Sequence, residues 1–473
     1  MLARDAALAT HTKVDSMLNP TSQRWGIIGG GVLGMTIAHR LAQAGQDVTL
    51  LEAAPHLGGL ADAWQLGDVT WDRHYHVTLL SDIHWRNLLK ELDLEDQMNW
   101  VETKTGFYTD GQLYSMSNNV EFLKFPPLRL IDKFRLGATI FYASKLKDWK
   151  KLEQVPVADW LKKLSGSRTF EKIWLPLLRA KLGENYQKTS AAFIWATIDR
   201  MYAARRTGLK KEMFGYMSGG YARILDAFTQ QLIDEGVDVR VETPTRLVQP
   251  TGVGTVMVET AGDSRSEFDK VVMTTPSPII SKVCPALSEE EHARHNGLQY
   301  QGIVCASVLL KKPLAEFYVT NITESWVPFT AVIEMSTLVD RAEFGGRSLV
   351  YLPKYVSPDD ALFEESDDSI QERFVAALEK MYPHFSREGV LEFRISRVRH
   401  VVSLTTLNYS NQLPPMQTSL PGVLAVNSAH IANGTLNVNE TVKLAEDTVR
   451  DLLLKSSEHS PAGQAVPDEV FQH

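Results

Sequence analysis

Cysteine is scarce in this chain, whose 473 residues include only Cys284 and Cys305. Two distant cysteines exclude a disulfide framework and lack the spacing of a cysteine metal site. Positive charge is not in excess either, because the formal net charge is −8. A negative balance argues against nucleic acid as a general partner. We therefore expect neither a bound metal nor nucleic-acid binding, and the low cysteine content favours a reducing compartment.

Long apolar runs are also missing. No run reaches the roughly 18 residues that a membrane-spanning helix needs, although 44% of the residues are hydrophobic, as in ordinary globular proteins. Residues 1–23 have no apolar signal-peptide core and are expected to form a flexible leader. Residues 456–473 are rich in Ser, Pro, Glu and Gln and are expected to be a disordered tail. These features predict a cytoplasmic protein, with membrane association left open.

What the chain does contain is a dinucleotide-binding pattern near its start. The apolar segment 25–28 runs into GGGVLG at 29–34, and a helical pattern follows. In this G-x-G-x-x-G motif Gly29 permits a tight turn, Gly31 lets a pyrophosphate approach the backbone, and Gly34 lets the helix pack on the strand. The phosphates would lie at a helix N-terminus, where free N–H groups favour anions.

A second strand and an acidic residue complete this pattern. The strand is predicted at Asp47–Leu51, and Glu52 follows it, where a carboxylate can bind ribose hydroxyls. Strand, glycine loop, helix, strand and acid in this order predict a bound dinucleotide. They do not say which dinucleotide is bound.

A second glycine pair, Gly58-Gly59, follows Glu52 after a short loop. With these residues the chain resembles the flavoprotein superfamily of amine oxidases, protoporphyrinogen oxidases, carotenoid desaturases and UDP-galactopyranose mutases. In that superfamily the glycine pair lies beside the FAD pyrophosphate. Leu60 stands where typical members have Arg or Lys, so one cationic phosphate contact is missing. The resemblance implies FAD held non-covalently, because neither cysteine lies in the C-terminal region where some amine oxidases attach flavin through sulfur.

The resemblance also implies a mixed α/β (α+β) fold. We expect a Rossmann-like FAD-binding domain of the two-domain flavoprotein type, with an inserted mixed-sheet substrate domain and a helical cap. The expected segments are 24–77, 215–281 and 416–455 for the discontinuous FAD-binding domain, 78–214 for a mostly helical cap and substrate region, and 282–415 for the substrate-binding sheet, with a helix near 368–382.

The last FAD-domain segment holds a short strand, Asn427 and a helix that starts near residues 437–440. In the superfamily this helix directs its N-terminus at the flavin pyrimidine, where it stabilises the negative charge of reduced flavin. Many members have Gly-Asp where this chain has Val426-Asn427, and Val239 would lie beside the adenine. The FAD contacts that the resemblance implies are Gly29, Gly31, Val32, Leu33, Gly34, Glu52, Ala53, Gly58, Gly59, Leu60, Val239, Asn427, Leu436, Asn437 and Val438.

Candidates for catalysis are His76, His74 and Lys354. The histidines lie in WDRHYH, at the place where relatives have an Asp-x-Gly-x-His-like loop that passes the isoalloxazine ring. Histidine titrates near neutrality and could carry a proton or form a hydrogen bond with flavin N5 or O4. The alternative is that they lie on opposite faces of a strand, one buried and one solvated. Lys354 could hold a water against N5, as a lysine does in some amine oxidases, or could be a surface lysine.

Two further groups of residues each allow two interpretations. Basic and polar residues in 181–206 could bind a carboxylate or phosphate of the substrate, or form a solvated face with salt bridges; they are Lys181, Asn185, Tyr186, Arg200, Arg205 and Arg206. Residues 122–150 interleave aromatic and aliphatic residues with seven Lys or Arg. This stretch could be a peripheral membrane face, or an amphipathic cap helix packed on the substrate domain.

Three functions fit these residues. The first is an FAD-dependent oxidoreductase that transfers a hydride from an apolar or cyclic small molecule to flavin N5. The second is an enzyme like UDP-galactopyranose mutase, which acts on a sugar nucleotide without net oxidation and would need arginines such as Arg200 or Arg205. The third is an FAD-free binding protein of the Rab GDP-dissociation inhibitor type, against which the intact glycine motif argues. The sequence does not indicate the oligomeric state.

Overall fold

The structure is a computed structural model that describes residues 22–204 and 213–458. These residues form twenty strands, numbered here in chain order. The strands are β1 (Arg24–Ile28), β2 (Asp47–Leu51), β3 (Ala63–Leu66), β4 (Val69–Asp72), β5 (Thr78–Leu79), β6 (Met98–Glu102), β7 (Thr105–Thr109), β8 (Gln112–Ser115), β9 (Met213–Met217), β10 (Asp238–Arg240), β11 (Thr245–Pro250), β12 (Val256–Thr260), β13 (Arg265–Phe268), β14 (Lys270–Met273), β15 (Tyr300–Leu310), β16 (Val319–Ile322), β17 (Ala331–Glu334), β18 (Ser348–Val356), β19 (Val390–Ser403) and β20 (Val423–Ala425).

The described residues also form fifteen α-helices. They are α1 (Val32–Gln43), α2 (Ile83–Glu91), α3 (Asn119–Lys124), α4 (Leu130–Ala143), α5 (Trp149–Leu152), α6 (Val157–Ser165), α7 (Ser167–Thr169), α8 (Leu175–Leu182), α9 (Ala191–Ala204), α10 (Gly220–Asp234), α11 (Ser277–Val283), α12 (Glu289–Gly297), α13 (Asp367–Met381), α14 (Tyr409–Gln412) and α15 (Val438–Glu458).

A five-stranded parallel sheet carries the glycine motif. Its strand order is β10-β2-β1-β14-β20, so three distant parts of the chain build one sheet. Apolar side chains of β1, β2 and β14 are buried on both faces, as a parallel sheet covered by helices requires. Helices α1, α10 and α15 supply part of the core beside it. Because the strands are parallel, their carboxyl ends meet at one edge, where Gly29, Glu52 and Thr274 lie.

The second large sheet has seven strands in the order β19-β15-β18-β17-β16-β7-β8. Its pairs are antiparallel except for β16 and β7, which run parallel. Every residue of β15, the second strand in this order, is buried, so the sheet is covered on both faces there. Helix α13 packs on one face, and the β3–β4 hairpin packs on the other. The site described below lies on the hairpin side.

The segment 78–214 was expected to be mostly helical. It contains helices α2 to α9, together with the short strands β5 to β8, and β7 with β8 extends the seven-stranded sheet. Strand β7 pairs with β16, more than 200 residues away. Long-range pairing of this kind leaves no periodic signal in a window of local sequence, so the sequence did not predict these strands. The domain boundaries themselves stay predictions.

Candidate functional site

The glycine loop begins where β1 ends, at the carboxyl edge of the parallel sheet. Gly29 has φ of +109°, in the left-handed region that favours glycine, and its N–H donates to the Leu51 carbonyl at 2.9 Å. A Cβ on Gly34 would lie 1.9 Å from the Gly29 carbonyl oxygen. Only a glycine at position 34 therefore lets α1 come this close to the strand.

The two glycine motifs meet in space. The Gly58 N–H donates to the Gly30 carbonyl at 2.8 Å, and Gly31 forms a β-bridge with Gly58. Around Gly31 there is open space, because the atom nearest to an added Cβ would be Gly59 Cα at 4.0 Å. The structure thus leaves a backbone-lined cradle between Gly31 and the Gly58-Gly59 pair.

The N-terminus of α1 faces this loop without a cap. Gly31 is the N-cap residue, no side chain accepts a hydrogen bond from the first turn, and no acidic residue lies in that turn. Val32 and Leu33, the first helical residues, are buried. A buried helix start without a side-chain acceptor leaves N–H groups for an external anion, and a phosphate is such an anion.

Glu52 stands directly after β2 and closes one side of the loop. Its carboxylate accepts the Gly30 N–H at 2.6 Å and the Ala54 N–H at 2.8 Å. Ala53 between them is exposed, whereas Leu60 is only half-buried. Val239, in the edge strand β10, pairs with Leu50 of β2 and packs against the same core as α1. Glu52 and Val239 thus belong to the neighbouring strands β2 and β10 at one side of the parallel sheet.

The ends of β14 and β20 complete this edge. The Thr274 hydroxyl donates toward the Ile28 and Gly29 carbonyls at 3.0 and 2.9 Å. Asn427 is 1% exposed, and its amide donates to the Thr275 carbonyl at 3.0 Å and the Ser277 hydroxyl at 3.1 Å, while its oxygen accepts the Ala429 N–H at 3.0 Å. The Asn427 side chain therefore ties β20 to β14 and has its polar atoms engaged within the protein.

Thr274 and Thr275 were not predicted. A signal for them existed, because they directly follow a predicted buried strand whose carboxyl end had to reach the ligand edge of the sheet. Among the described residues the buried Thr275 hydroxyl has no hydrogen-bond partner. An orphaned buried hydroxyl beside the glycine loop fits a ligand with hydrogen-bonding groups at this place.

The start of α15 is linked to the middle of the molecule by aromatic contacts. Leu436 and Val438 flank Asn437, whose side-chain oxygen accepts the Glu440 N–H at 3.0 Å and so caps the helix. Asn439 accepts the Trp85 backbone N–H at 3.2 Å, and Trp85 stacks on Tyr221 with 5.6 Å between ring centres.

Asp72 is the buried carboxylate at the centre of these contacts. It is 3% exposed and accepts the Tyr221 N–H at 2.7 Å, at the start of α10. A Cβ on Gly220 would lie 2.7 Å from the Asp72 carboxylate, so glycine is needed there. Burial raises the pKa of Asp72 to about 7. Asp72 was not among the predicted site residues, although it stands in WDRHYH.

His74 and His76 follow Asp72 in a segment that is not a strand, so the alternative of opposite strand faces does not describe them. His74 donates from Nδ1 to the Leu60 carbonyl at 3.2 Å, because a carbonyl can only accept. Burial lowers the pKa of His74 to about 4 and that of His76 to about 3, so both rings are neutral near pH 7. His76 Nδ1 is 3.9 Å from the Asp72 carboxylate, too far for a hydrogen bond.

Both histidines keep one ring nitrogen free of partners. Among the described residues, His74 Nε2 and His76 Nδ1 are buried without a hydrogen bond. The His76 ring also lies 4.8 Å from the Tyr221 ring. Because the neutral His74 ring carries its proton on Nδ1, its Nε2 can only accept a hydrogen bond from a ligand between the two sheets, whereas His76 Nδ1 can accept or donate one.

The other sequence candidates are placed differently. Lys354 shares a face of β18 with Val350 and Leu352, which α13 covers, and is thus directed away from the histidines. Arg200 is paired with Asp82 at 3.0 Å. Lys181 lies over the Tyr355 ring, 5.3 Å from its centre. Tyr186 lies under Arg179, and the Asn185 carbonyl accepts the Thr189 hydroxyl. Arg205 and Arg206 are outside the described residues.

Within residues 22–204 and 213–458, no group of three or more His, Cys, Asp or Glu side chains is arranged to hold a metal ion. None of the helices in this part of the chain is both long enough and apolar enough to cross a bilayer.

The chain is similar to known proteins in sequence and in fold. A model of the family described as flavin containing amine oxidoreductase matches residues 34–438. Coproporphyrinogen III oxidase of Mycobacterium tuberculosis is 24% identical over 294 residues, which cover 58% of this chain and 63% of that protein. A 15-cis-phytoene desaturase of Synechococcus elongatus is 22% identical over 430 residues, 84% of this chain and 87% of that protein.

The fold of a solved relative agrees with the architecture. The crystal structure of wild-type putrescine oxidase bound to putrescine has a TM-score of 0.70 and 16% sequence identity, and covers 92% of this chain and 99% of that chain. At this level of identity the likeness concerns the fold alone. The predicted mixed α/β architecture of the two-domain flavoprotein type is thereby confirmed.

Replacing Gly31 by valine tests the cradle. Because the space beside Gly31 is open, we expect Gly31→Val to fold, but its side chain occupies the place of the pyrophosphate. FAD binding should weaken at least about tenfold, equivalent to about 1.4 kcal/mol, measured as flavin content and by FAD titration of the apoprotein.

Two glycine controls accompany this variant. Gly137→Ala, where an added Cβ has no atom within 4 Å, should leave flavin content unchanged. Gly34→Ala should instead destabilise the apoprotein itself, because the new Cβ meets backbone. Normal flavin content in Gly31→Val would contradict the placement of the pyrophosphate.

The pKa of Asp72 predicts a pH-dependent stability. An acid whose pKa is raised by folding binds its proton more tightly in the folded state, so the free energy of unfolding falls as pH rises from about 4 to 7. Asp72→Asn removes this titration. Between about pH 5 and pH 7, the free energy of unfolding of the variant should fall by about 2 kcal/mol less than that of wild type. Urea unfolding at each pH measures this difference.

Asp68→Asn is the matched control. Asp68 lies in the same hairpin, and Arg347 holds the pKa of its carboxyl below the usual value. Its contribution is therefore constant above about pH 5. Equal pH dependence of Asp72→Asn and wild type would show that Asp72 is not protonated by burial.

Proposed function

Because the chain belongs to the flavin-containing amine oxidoreductase family, we propose that it is an FAD-dependent oxidoreductase that removes a hydride from an apolar or cyclic small molecule. The family match confirms the resemblance drawn from the sequence, with FAD as the cofactor. The match to the M. tuberculosis protein covers less than two thirds of that protein, so activity and substrate are our proposal. Bound FAD supplies the hydride acceptor.

We assign the FAD contacts as follows. The cradle between Gly31 and Gly59 fits the pyrophosphate, since it presents backbone and the uncapped start of α1. Glu52 fits the ribose hydroxyls at the end of β2. The residues around Asn437 start a helix whose dipole would stabilise negative charge on the flavin pyrimidine. The single observation that carries the proposal is the open space at Gly31 beside an uncapped, buried helix start.

On the substrate side, the main contribution of the chain is to position the substrate and to exclude water, rather than to supply a strong base. His74 and His76 are neutral and keep one free nitrogen each, so they can orient a substrate or cofactor edge by hydrogen bonding. Asp72 holds the start of α10 in place. Hydride removal depends mainly on alignment in a site that excludes water, which these buried groups supply.

The two alternatives receive less support. A mutase-like reaction would need arginines for a sugar-nucleotide pyrophosphate, and Arg200 is already paired with Asp82. A binding protein without FAD would not need the unfilled space beside Gly31 at an uncapped helix start. We therefore consider the mutase-like reaction and the FAD-free binding protein less well supported than the oxidoreductase.

The test follows the flavin during turnover. We expect the purified protein to absorb near roughly 450 nm and to release its FAD on acid denaturation. Anaerobic mixing with coproporphyrinogen III, phytoene or putrescine, the compounds in the names of similar proteins, should bleach the flavin with at least one of them. Each turnover should then consume one equivalent of an oxidising acceptor such as oxygen or a quinone.

The Gly31→Val variant, which should bind FAD more weakly, is the control for this assay, and its turnover should fall in proportion to its flavin content. A colourless wild-type protein, or turnover that needs pre-reduced flavin and consumes no acceptor, would contradict the oxidoreductase.

We also propose that α3 and α4 contact a membrane surface. Helix α4 packs on α6, α7 and α9 through a buried face, which agrees with the cap-helix reading, but its other face is apolar and open. Leu130 is 73% and Phe134 75% exposed. The other exposed apolar residues of this surface are Val120, Leu123, Ile131, Phe141 and Tyr142.

Basic side chains are interspersed with these apolar residues along the segment 124–150. Those that are exposed are Lys124, Arg129, Arg135, Lys145, Lys147 and Lys150. Exposed apolar residues interspersed with cations fit the headgroup region of an anionic bilayer. We place this contact on the cytoplasmic face, where the free thiols of Cys284 and Cys305 stay reduced.

A vesicle assay tests the membrane contact. We expect the protein to sediment with phosphatidylglycerol vesicles more than with phosphatidylcholine vesicles. The double variant Leu130→Ser, Phe134→Ser should bind at least about tenfold more weakly, since each buried apolar side chain contributes about 1.5–3 kcal/mol. Val253→Ser, which removes an 82% exposed apolar residue elsewhere, should bind like wild type. Equal sedimentation of the double variant and wild type would refute the contact.

A further inference from the structure

Lys181 has an unusual environment for a lysine. It lies in the last turn of α8, which packs against β18 and β16 of the seven-stranded sheet. Its side chain is accessible to solvent, yet surrounding protein desolvates it and lowers the pKa of its ammonium group. A side chain that is both accessible and desolvated projects into a recess and not from an open surface.

Two tyrosines form one wall of this recess. The Lys181 ammonium lies 5.3 Å from the centre of the Tyr355 ring. The Tyr355 hydroxyl is 2.9 Å from that of Tyr75. Neither tyrosine side chain is fully buried. Desolvation by the surrounding protein nevertheless raises the pKa of Tyr355 to about 12 and that of Tyr75 well above its usual value. They therefore share the recess with Lys181.

The two tyrosines belong to a cluster that is otherwise mainly apolar. The other side chains that are partly buried against this cluster are Val77, Val101, Met201, Tyr216, Val319, Val398 and Val401. The recess thus places one cation and a pair of hydroxyls beside an apolar cluster.

The charge of Lys181 is not neutralised within the described part of the chain. No carboxylate of these residues lies within salt-bridge distance of its ammonium group, and desolvation is the one cause of its lowered pKa. The tyrosine ring offers a cation–π contact, which is weaker than an ion pair. A helix C-terminus favours a lysine by only about 0.3–1 kcal/mol, and that effect alone does not explain a cation placed where protein desolvates it. An anion from outside the chain would complete the site.

The position of the recess connects it with the proposed flavin site. Tyr75 lies between His74 and His76, and the His76 ring contacts Tyr221 at the start of α10. An elongated molecule that extends from the histidines past the Tyr75–Tyr355 pair reaches Lys181. One end would lie near the flavin and the other near the ammonium group.

We propose that Lys181, with the Tyr75–Tyr355 pair, binds the carboxylate of a substrate whose body is otherwise apolar. This inference rests on the proposed function, because it takes the recess to be the substrate side of a flavin enzyme. It narrows the substrate class from apolar or cyclic molecules to apolar acids. Lys181 is a binding residue in this scheme, and the apolar lining sets the chemistry of the rest of the substrate.

The experiment uses three probes that differ only in their head group. Octanoate, 1-octanol and octylamine are titrated into the purified FAD-loaded protein by calorimetry, and the visible spectrum of the flavin is recorded in parallel. We expect octanoate to bind at least tenfold more tightly than octanol and octylamine to bind most weakly. Octanoate should also perturb the flavin spectrum if the recess adjoins the flavin.

Variants at one position then test the assignment. Lys181→Met, which keeps the length without the charge, should lose at least tenfold in octanoate affinity and bind octanol like wild type. Lys181→Arg should retain octanoate binding within about threefold. Lys188→Met removes an exposed lysine in the segment after α8 and should change nothing. Thermal unfolding of each variant reports whether it is folded.

Each result decides the inference. Octanoate binding unchanged in Lys181→Met, or no preference for octanoate over octanol in wild type, would overturn it. Loss of octanol binding together with octanoate binding in a folded Lys181→Met would also overturn it, since the recess and not the charge would then matter. Calorimetry on a colourless preparation would still test the anion site, so failure of the flavin proposal and failure of this one are distinguishable.

Discussion

The close contact between α1 and the end of β1 determines how the parallel sheet can serve a ligand. Gly34 lies so near the Gly29 carbonyl that any side chain would collide with backbone. This contact brings the first turn of α1 to the carboxyl edge of the sheet, with no side chain in the way. The Gly58-Gly59 pair reaches the same edge through its hydrogen bond to Gly30. The cradle, the uncapped helix start and the position of Glu52 all depend on it.

Asp72 plays a comparable part between the two sheets. Its carboxylate accepts the Tyr221 N–H of α10, and its backbone carbonyl accepts the Tyr351 hydroxyl of β18. One residue thereby joins the helix beside the flavin-binding sheet to the seven-stranded sheet. The cost is a carboxyl group buried to the point that its proton is retained near neutrality. The histidines that follow it are held neutral by the same burial, so the junction is polar but carries little net charge.

Unlike the groups at this junction, Lys181 carries a positive charge. The groups around it are tyrosine hydroxyls and apolar side chains, which do not neutralise a cation. The exposed apolar surface of α3 and α4 likewise has no counterpart within the described chain. In both places a partner from outside the described chain would complete the contacts. A lipid-facing cap and a recess for an apolar acid are compatible, because both suit substrates that partition into membranes.

The sequence by itself determined the local features and the cofactor. The second strand lies at Asp47–Leu51 as predicted, the glycine loop precedes it at the end of β1, and Glu52 directly follows it. Helix α13 begins within one residue of its predicted start at 368. These features follow from short-range sterics and from periodicities of two and 3.6 residues, which any window of sequence contains. Only the tertiary structure decided that β7 pairs with β16, that Asp72 joins two sheets, that Lys354 is directed away from the histidines, and that Lys181 lies over the Tyr355 ring. Each of these depends on residues that are far apart in the chain, and local sequence carries no information about which distant surface a side chain will meet.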